Sequence, residues 1–136
     1  MTNDAARALY LDASAIVKLV VSEAETDALS RHIDGAALIT SEISEVEVPR
    51  AAYLRTGLDE SLRHAEAVLA RFNLIALDDE LRHDAARARP GDLRSLDAIH
   101  LASCLRVAKY LEAVVVYDKR LTKSLRARGF RVESPN

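Results

Sequence analysis

The sequence predicts an α/β fold in which helices cover both faces of a mostly parallel sheet. Short apolar runs alternate along the chain with longer segments of helical periodicity, which is the pattern of strand–helix units. The runs are continuous rather than alternating, as in strands that are buried on both faces. With 136 residues, 49% hydrophobic and 29% charged, the chain fits one globular domain. We expect that domain to span residues 1–136, with flexible ends at 1–6 and 133–136.

The predicted elements follow one another in a regular order. Four apolar runs are too short for helices and predict strands at 8–11, 37–40, 74–77 and 114–117. The sequence FRV at 130–132 predicts a final edge strand, which gives a sheet of four to five strands. Apolar residues at three- and four-residue steps predict helices at 15–20, 28–33, 58–72 and 95–110. Gly129 predicts the stop of a last helix.

Composition argues against several classes of protein. No apolar run approaches the ~20 residues that cross a bilayer, and the polar start MTNDAARA lacks a signal-peptide pattern, so we expect a cytoplasmic protein without a membrane partner. The single cysteine, Cys104, excludes an intramolecular disulfide, and its apolar context predicts a buried thiol. A net charge of −2 argues against nucleic-acid binding through a bulk positive field, although the segment 119–131 is basic.

Two acidic residues follow predicted strands. Asp12 comes directly after the first run and Asp118 directly after the fourth. Because ligands of an open parallel sheet bind at the carboxyl ends of the strands, we expect both carboxylates at one edge of the molecule. An Asp after a strand also serves as the N-cap of the next helix, so each residue has a structural interpretation beside the functional one.

A third acid, Asp97, lies in the first turn of a predicted helix. Ser95 can serve as the N-cap of that helix, and the helix dipole favours an acid at this position. His100 lies three residues further on, on nearly the same face. We expect His100 to pack or to form hydrogen bonds rather than to bind metal, because a hard oxygen-ligated ion does not require imidazole.

The segment after the second predicted strand offers three glutamates, and the residues alone do not choose among Glu42, Glu45 and Glu47. Ser44 and Glu47 have the S-x-x-E spacing of a capping box, which would give Glu47 a structural role. Pro49 predicts a helix that begins just before it or bends there, since proline removes a backbone hydrogen bond.

Carboxylates that converge raise one another's pKa, and burial adds to the cost of their ionisation. A divalent cation removes that conflict, and Mg²⁺ prefers oxygen ligands while keeping several waters. The acids at the ends of the strands therefore predict a site for Mg²⁺ or Mn²⁺, which can activate water for attack on a phosphodiester.

Four segments, in order, resemble the sequence blocks of PIN domains, most closely the VapC-type toxins of bacterial toxin–antitoxin pairs. They are YLDASAIVKL, TSEISEVEVPRA, SLDAIHLAS and VVVYDKRLTKSLRARGF, which span Tyr10 to about Phe130. The resemblance implies a PIN-like three-layer α/β/α sandwich and a Mg²⁺-dependent endoribonuclease, with Mn²⁺ able to substitute. The implied partners are an RNA substrate, a cognate VapB-type antitoxin and a second copy of the chain in a homodimer.

The resemblance also assigns residues. It implies that Asp12, Asp97 and Asp118 hold the metal, directly or through water. It selects Glu47, which precedes the sequence VPRA, to orient the attacking water or a second ion. Ser14 matches the Ser or Thr that supports the first aspartate or a metal-bound water.

Two cations near Asp118 are candidates for contact with RNA. Lys119 and Arg120 follow this acid directly in the basic segment of the chain. Aromatic residues make up only 4% of the sequence, which disfavours a platform for base stacking. We therefore expect recognition through phosphates and RNA shape.

Three alternatives fit parts of the pattern. In a phospho-receiver domain Asp78 would be the phospho-acceptor and Lys119 the partner lysine, but receivers place two adjacent acids after the first strand. A haloacid-dehalogenase-like phosphatase needs a second acid where this chain has Ser14. A catalytically silent PIN-fold binding module would retain the fold without activity.

Overall fold

A computed structural model describes residues 7–136, in which five strands form one sheet with the order β3-β2-β1-β4-β5. All four neighbouring pairs are parallel. The strands are Ala8–Leu11 (β1), Ala37–Ser41 (β2), Asn73–Ile75 (β3), Ala113–Val115 (β4) and Val132–Glu133 (β5). The helices between them are Ala13–Val20 (α1), Thr26–Ile33 (α2), Ser44–Thr56 (α3), Asp59–Leu69 (α4), Asp79–Ala86 (α5), Ser95–Arg106 (α6) and Lys119–Ala127 (α7), with a 3-10 turn at Ala108–Tyr110.

The sheet separates two apolar cores, as the side-chain alternation of a strand requires. Leu9 and Leu11 belong to the core that is completed by α1 to α4, whereas Tyr10 belongs to the core completed by α5 to α7. All three side chains are fully buried. Burial of a large apolar side chain stabilises the fold by about 1.5–3 kcal/mol, so both helical layers are held firmly on the sheet. The predicted three-layer α/β/α architecture is confirmed.

Most predicted elements are present, with shifted ends. The predicted final edge strand is β5, and Gly129 follows α7 with a positive φ of 89°, which suits a helix stop. Cys104 is fully buried, as predicted. The expected start just before Pro49 was wrong, because α3 begins five residues earlier, at Ser44, and continues past the proline. The alternative expectation, a bend at Pro49, stays a prediction.

The two ends of the chain differ in what is described. The expectation of a flexible segment at 1–6 concerns residues outside the described part. For the segment 133–136, the Ser134 hydroxyl donates to the carbonyl of Val116 over 2.5 Å, and the Tyr117 hydroxyl donates to the carbonyl of Pro135 over 2.6 Å. The expected flexibility of residues 133–136 stays a prediction, and these two hydrogen bonds argue against it. No helix between residues 7 and 136 has the length and apolarity needed to span a membrane.

Candidate active site

The centre of the sheet places two acidic residues at one edge. From β1 the chain continues to β2 and β3 on one side, while β4 and β5 lie on the other side, so connections diverge between β1 and β4. Such a point forms a crevice at the carboxyl ends of the strands. Asp12 follows β1 directly and caps α1, and Asp118 lies three residues after β4 and caps α7. The crevice therefore has a carboxylate on each side.

Asp12 is almost completely buried, with 4% of its surface exposed. Its Oδ1 atom accepts hydrogen bonds from the Ser14 hydroxyl at 2.6 Å and from the backbone N–H of Ala15 at 3.1 Å. Burial raises the pKa of Asp12, and the negative charge of Glu47 adds to the rise, whereas His100 and the two hydrogen bonds lower it. The ionised carboxylate is thus held in a site that disfavours its charge.

Asp118 caps α7 through a single oxygen atom. Its Oδ1 accepts from the backbone N–H groups of Arg120 at 2.8 Å and Leu121 at 3.1 Å. Both expectations for this residue are therefore compatible, because it caps a helix and also lines the cavity described below.

Asp97 lies in the first turn of α6 and is partly exposed. Partial burial and then the charge of Asp118 raise the pKa of Asp97, with a further rise from Glu47, while His100 and Arg94 lower it. These electrostatic couplings indicate that Asp97 lies near the carboxylates of Asp118 and Glu47.

The expected cap of α6 needs correction. Ser95 is the first residue of the helix, and Arg94 occupies the N-cap position. The prediction of Ser95 as the N-cap was therefore wrong. Asp97 still lies in the first turn of the helix, but no serine caps that turn.

Glu47 is directed toward the same group of residues by a tertiary contact. Its Oε1 accepts from His100 Nε2 at 2.7 Å, and the Nδ1 of that imidazole contacts the Tyr10 hydroxyl at 2.6 Å. The expected capping box was wrong, since the Ser44 hydroxyl bonds to Thr40 Oγ1 at 2.8 Å and α3 is preceded by Ile43. The carboxylate of Glu47 is consequently not used in capping.

The other two glutamates lie elsewhere. Glu42 accepts from the backbone N–H of Leu77 over 3.3 Å, and Glu45 is exposed in the first turn of α3. The expectation that His100 forms hydrogen bonds is confirmed, and this buried histidine is only 2% exposed.

A cavity of about 360 Å³ opens beside these residues, with Ser14, Glu47 and Asp118 in its wall. Two cations that were not predicted, Lys18 and Arg55, also line it. Lys18 follows Ser14 by four residues and Arg55 follows Glu47 by eight, so each pair shares one helix face. Helical periodicity applied to the predicted site residues would have found both.

The two cations are held by acids of the segment between α1 and α2. Lys18 Nζ lies 2.9 Å from Glu25 and 4.7 Å from the ring centre of Tyr117, and Arg55 pairs with Glu23. The cavity therefore combines carboxylates on one part of its wall with fixed positive charge on another.

The donor set suits a hard divalent cation. Within residues 7–136, no three Asp, Glu, His or Cys side chains stand close enough together to hold one ion. However, the pKa values of Asp12 and Asp97 are both raised by burial and by neighbouring carboxylates, and a cation would relieve that repulsion. Oxygen donors that act partly through water are what Mg²⁺ accepts, so these residues fit the metal.

The predicted RNA-contacting residues lie on an adjoining surface. Lys119 and Arg120 are exposed at the start of α7. Arg120 and Lys123 line a separate groove of about 700 Å³ together with Asp92, which lies in the loop between α5 and α6. Nothing in the arrangement assigns a ligand to this groove by itself.

Asp78, the phospho-acceptor of the alternative interpretation, is paired with an arginine. Arg106 donates to both of its oxygens at 2.9 Å, and the Leu81 N–H donates to Oδ1. The hydrogen bond from Arg106 lowers the pKa of Asp78 to about 2. A carboxylate occupied in this way is a poor acceptor for a phosphoryl group.

Comparisons with known proteins agree with the fold. The family model described as PIN domain matches residues 9–124. The curated protein Ribonuclease VapC35 of Mycobacterium tuberculosis is 39% identical over 132 residues, which cover 93% of this chain and 96% of that protein. Ribonuclease VapC46 of the same organism is 39% identical over 131 residues, covering 95% and 98% of the two chains.

Two solved structures share the architecture. The structure of M. tuberculosis VapC20, described as a Sarcin-Ricin loop cleaving toxin, superposes with a TM-score of 0.70 at 19% identity and covers 93% of this chain and 99% of its own. VapBC-1 from nontypeable Haemophilus influenzae gives a TM-score of 0.61 at 14% identity, with 93% and 97% covered. At these identities the likeness shows the fold alone.

Proposed function

This chain belongs to the PIN domain family, and on that basis we propose that it is a Mg²⁺-dependent endoribonuclease and the toxin of a toxin–antitoxin pair. Curated relatives at 35–39% identity are named ribonucleases. The observation that carries the proposal is the position of Asp12 and Asp118 at the carboxyl edge of the sheet, with Glu47 and Asp118 in the wall of one cavity. The charge of Glu47 raises the pKa of Asp12, and the charges of Asp118 and Glu47 raise the pKa of Asp97.

Asp12, Asp97 and Asp118 would hold Mg²⁺, with Mn²⁺ as a substitute. When bound, the ion supplies a polarised water and neutralises charge on the phosphodiester. The Ser14 hydroxyl keeps Oδ1 of Asp12 in a fixed orientation. Glu47 orients the attacking water, whose oxygen forms a bond to phosphorus as the bond to the 3′ oxygen breaks.

RNA would be held mainly through its phosphates. Lys18 and Arg55 in the cavity wall are positioned to contact the strand near the acids, and Lys119 and Arg120 extend the positive surface along α7. Proteins often bind single-stranded RNA by stacking its bases on aromatic side chains. The low aromatic content of this chain leaves contacts with phosphates as the main source of affinity.

The proposed partners are a VapB-type antitoxin and a second copy of the chain. Exposed apolar side chains on α3 and just after it, among them Val46, Leu54 and Leu58, offer surface that a partner would cover. Light scattering of the purified chain would detect the homodimer, and co-purification would detect the antitoxin. A cytoplasmic location stays a prediction.

The decisive experiment is an RNA cleavage assay with mapped ends. We expect cleavage in Mg²⁺ that EDTA abolishes and that Asp118→Asn reduces by roughly a hundredfold or more, as for loss of a residue that acts in the transition state. Asparagine retains the oxygen that caps α7, so the melting temperature should change little.

The matched control is Asp79→Asn, which removes a fully exposed acid on α5 and should leave cleavage unchanged. Cleavage by Asp118→Asn at the wild-type rate would reject the assignment. An inactive wild-type chain would favour a silent binding module, and stable phosphorylation of Asp78 by acetyl phosphate would favour the receiver interpretation.

A further inference from the structure

A buried chain of hydrogen bonds leads from the sheet to the candidate site. The Tyr10 hydroxyl lies 2.6 Å from His100 Nδ1, and His100 Nε2 lies 2.7 Å from Glu47 Oε1. Tyr10 is fully buried, His100 is 2% exposed, and the side chain of Glu47 is 18% exposed. We refer to these three residues as the Tyr10–His100–Glu47 chain. It begins in the core and ends at the wall of the cavity.

The three residues come from three elements that cannot move independently. Tyr10 is on the central strand β1, His100 is on α6, one turn after Asp97, and Glu47 is on α3 in the opposite helical layer. The Tyr10 and His100 rings also pack edge to face, with centroids 5.9 Å apart. The chain therefore links both layers to the strand that ends at Asp12.

Hydrogen-bond logic gives one arrangement in which both contacts are satisfied. An ionised carboxylate only accepts, so Nε2–H of His100 donates to Glu47. In the tautomer without a proton on Nδ1, that nitrogen accepts from the Tyr10 hydroxyl. Burial raises the pKa of Tyr10 well above its ordinary value, so the phenol keeps the proton that it donates. Both ring nitrogens and the Tyr10 hydroxyl have a partner in this arrangement.

A different arrangement would place a proton on both ring nitrogens. The Tyr10 hydroxyl would then need another acceptor, and the nearby hydroxyls of Thr40 and Ser103 affect its pKa through hydrogen bonding. Those hydroxyls donate to the backbone carbonyls of Leu11 at 2.7 Å and Ile99 at 2.8 Å. The two arrangements are distinguishable by the proton on Nδ1.

A free glutamate side chain samples many rotamers, and fixing it in one of them costs conformational entropy. The bond from His100 fixes Glu47 before substrate arrives, and Tyr10 fixes the ring that makes this bond. We propose that His100, oriented by Tyr10, is a positioning residue that holds the Glu47 carboxylate toward the attacking water. This role rests on the proposed function, because it assigns a partner to Glu47 in that reaction.

Three variants test the role through kinetics. His100→Leu removes the donor and keeps an apolar side chain, and we expect kcat to fall about 10–100-fold with KM changed less than about twofold, as for loss of a residue that orients a reacting group. His100→Gln returns an N–H donor near the position of Nε2 and should recover most of that loss. Tyr10→Phe keeps the ring, removes the hydroxyl and should lower kcat severalfold.

A double-mutant cycle separates positioning from general stability. In the Glu47→Gln background, His100→Leu should lower kcat by less than about twofold, because the carboxylate that it positions is already absent. The matched control is His32→Leu, which breaks a second histidine–glutamate contact, the one at 2.6 Å between His32 of α2 and Glu133 of β5. It should leave kcat unchanged. An undiminished loss in the Glu47→Gln background, or equal losses for Leu and Gln at position 100, would overturn the role.

A readout without RNA keeps this test separate from the proposed function. In ¹⁵N NMR spectra of the wild-type chain at neutral pH, we expect His100 in the Nε2–H form with an accepting Nδ1, and a shifted Nδ1 resonance in Tyr10→Phe. An Nε2 atom without a proton would overturn the role even if the chain cleaves RNA, because His100 could then not donate to Glu47. The expected spectrum in a chain that does not cleave RNA would refute the proposed function and leave the hydrogen-bonded chain in place.

Discussion

Replacing Asp12 by asparagine or alanine separates its charge from its hydrogen bonds. Asparagine retains an Oδ1 atom that can accept from the Ser14 hydroxyl and the Ala15 N–H, whereas alanine loses both bonds. Loss of an N-cap costs about 1 kcal/mol, and loss of the partner of the partly buried Ser14 hydroxyl costs about as much again. Both variants remove the charge, so Asp12→Ala should be about 2 kcal/mol less stable than Asp12→Asn.

These free energies translate into measurable temperatures. An unfolding entropy of about 2.1 cal/mol/K per residue gives roughly 0.29 kcal/mol/K for 136 residues. The melting temperature of Asp12→Ala should then lie about 7 °C below that of Asp12→Asn. In contrast, Asp12→Asn should match or exceed the wild type at neutral pH without metal, because burial disfavours the charge that asparagine removes.

The assay compares thermal unfolding in EDTA with unfolding at saturating Mg²⁺. A ligand at a hundred times its Kd stabilises a protein by about 2.7 kcal/mol. Mg²⁺ should therefore raise the melting temperature of the wild type, and it should not raise that of either variant, because both lack the carboxylate of Asp12. Both variants should also lose RNA cleavage. Equal destabilisation of Asn and Ala would refute the hydrogen-bond argument, and a full Mg²⁺ shift in Asp12→Asn would refute its role as a ligand.

Two further predictions concern charge at the same edge. Partial burial and the charge of Asp118 raise the folded-state pKa of Asp97 above the ordinary 3.8. Between the unfolded and the folded pKa, the folded state binds more protons than the unfolded state, so the metal-free stability falls as the pH rises above about 4. Urea midpoints in EDTA should show that Asp97→Asn flattens this fall, and an unchanged slope would contradict it. Arg55→Gln should weaken RNA binding and reduce the slope of log K against log salt concentration by about 0.7. Arg71→Gln changes an exposed residue before β3, at the opposite edge of the sheet, and should change neither quantity. Equal slopes for the two variants in filter binding would remove Arg55 from the RNA contacts.

Local pattern was least informative about α3. Only Ser44, Val48 and Ala52 are buried on this helix, while Val46 and Leu54 are exposed. Its periodicity is therefore weak, and Pro49 within it argued for a helix start that is not there. The capping box failed for a related reason, since the Ser44 hydroxyl finds a partner on β2 rather than in its own helix. For Ser44, a tertiary contact outweighed a local preference.

The sequence by itself determined the parallel sheet, its two helical layers and the position of Asp12 and Asp118 at one edge. Continuous apolar runs can be buried only between two layers, and parallel strands bring their ends together. Only the tertiary structure showed that Glu47 meets His100 across 53 positions and that Tyr10 meets the same ring across 90. These contacts depend on how two layers pack on opposite faces of a sheet, and no local spacing along the chain encodes that distance.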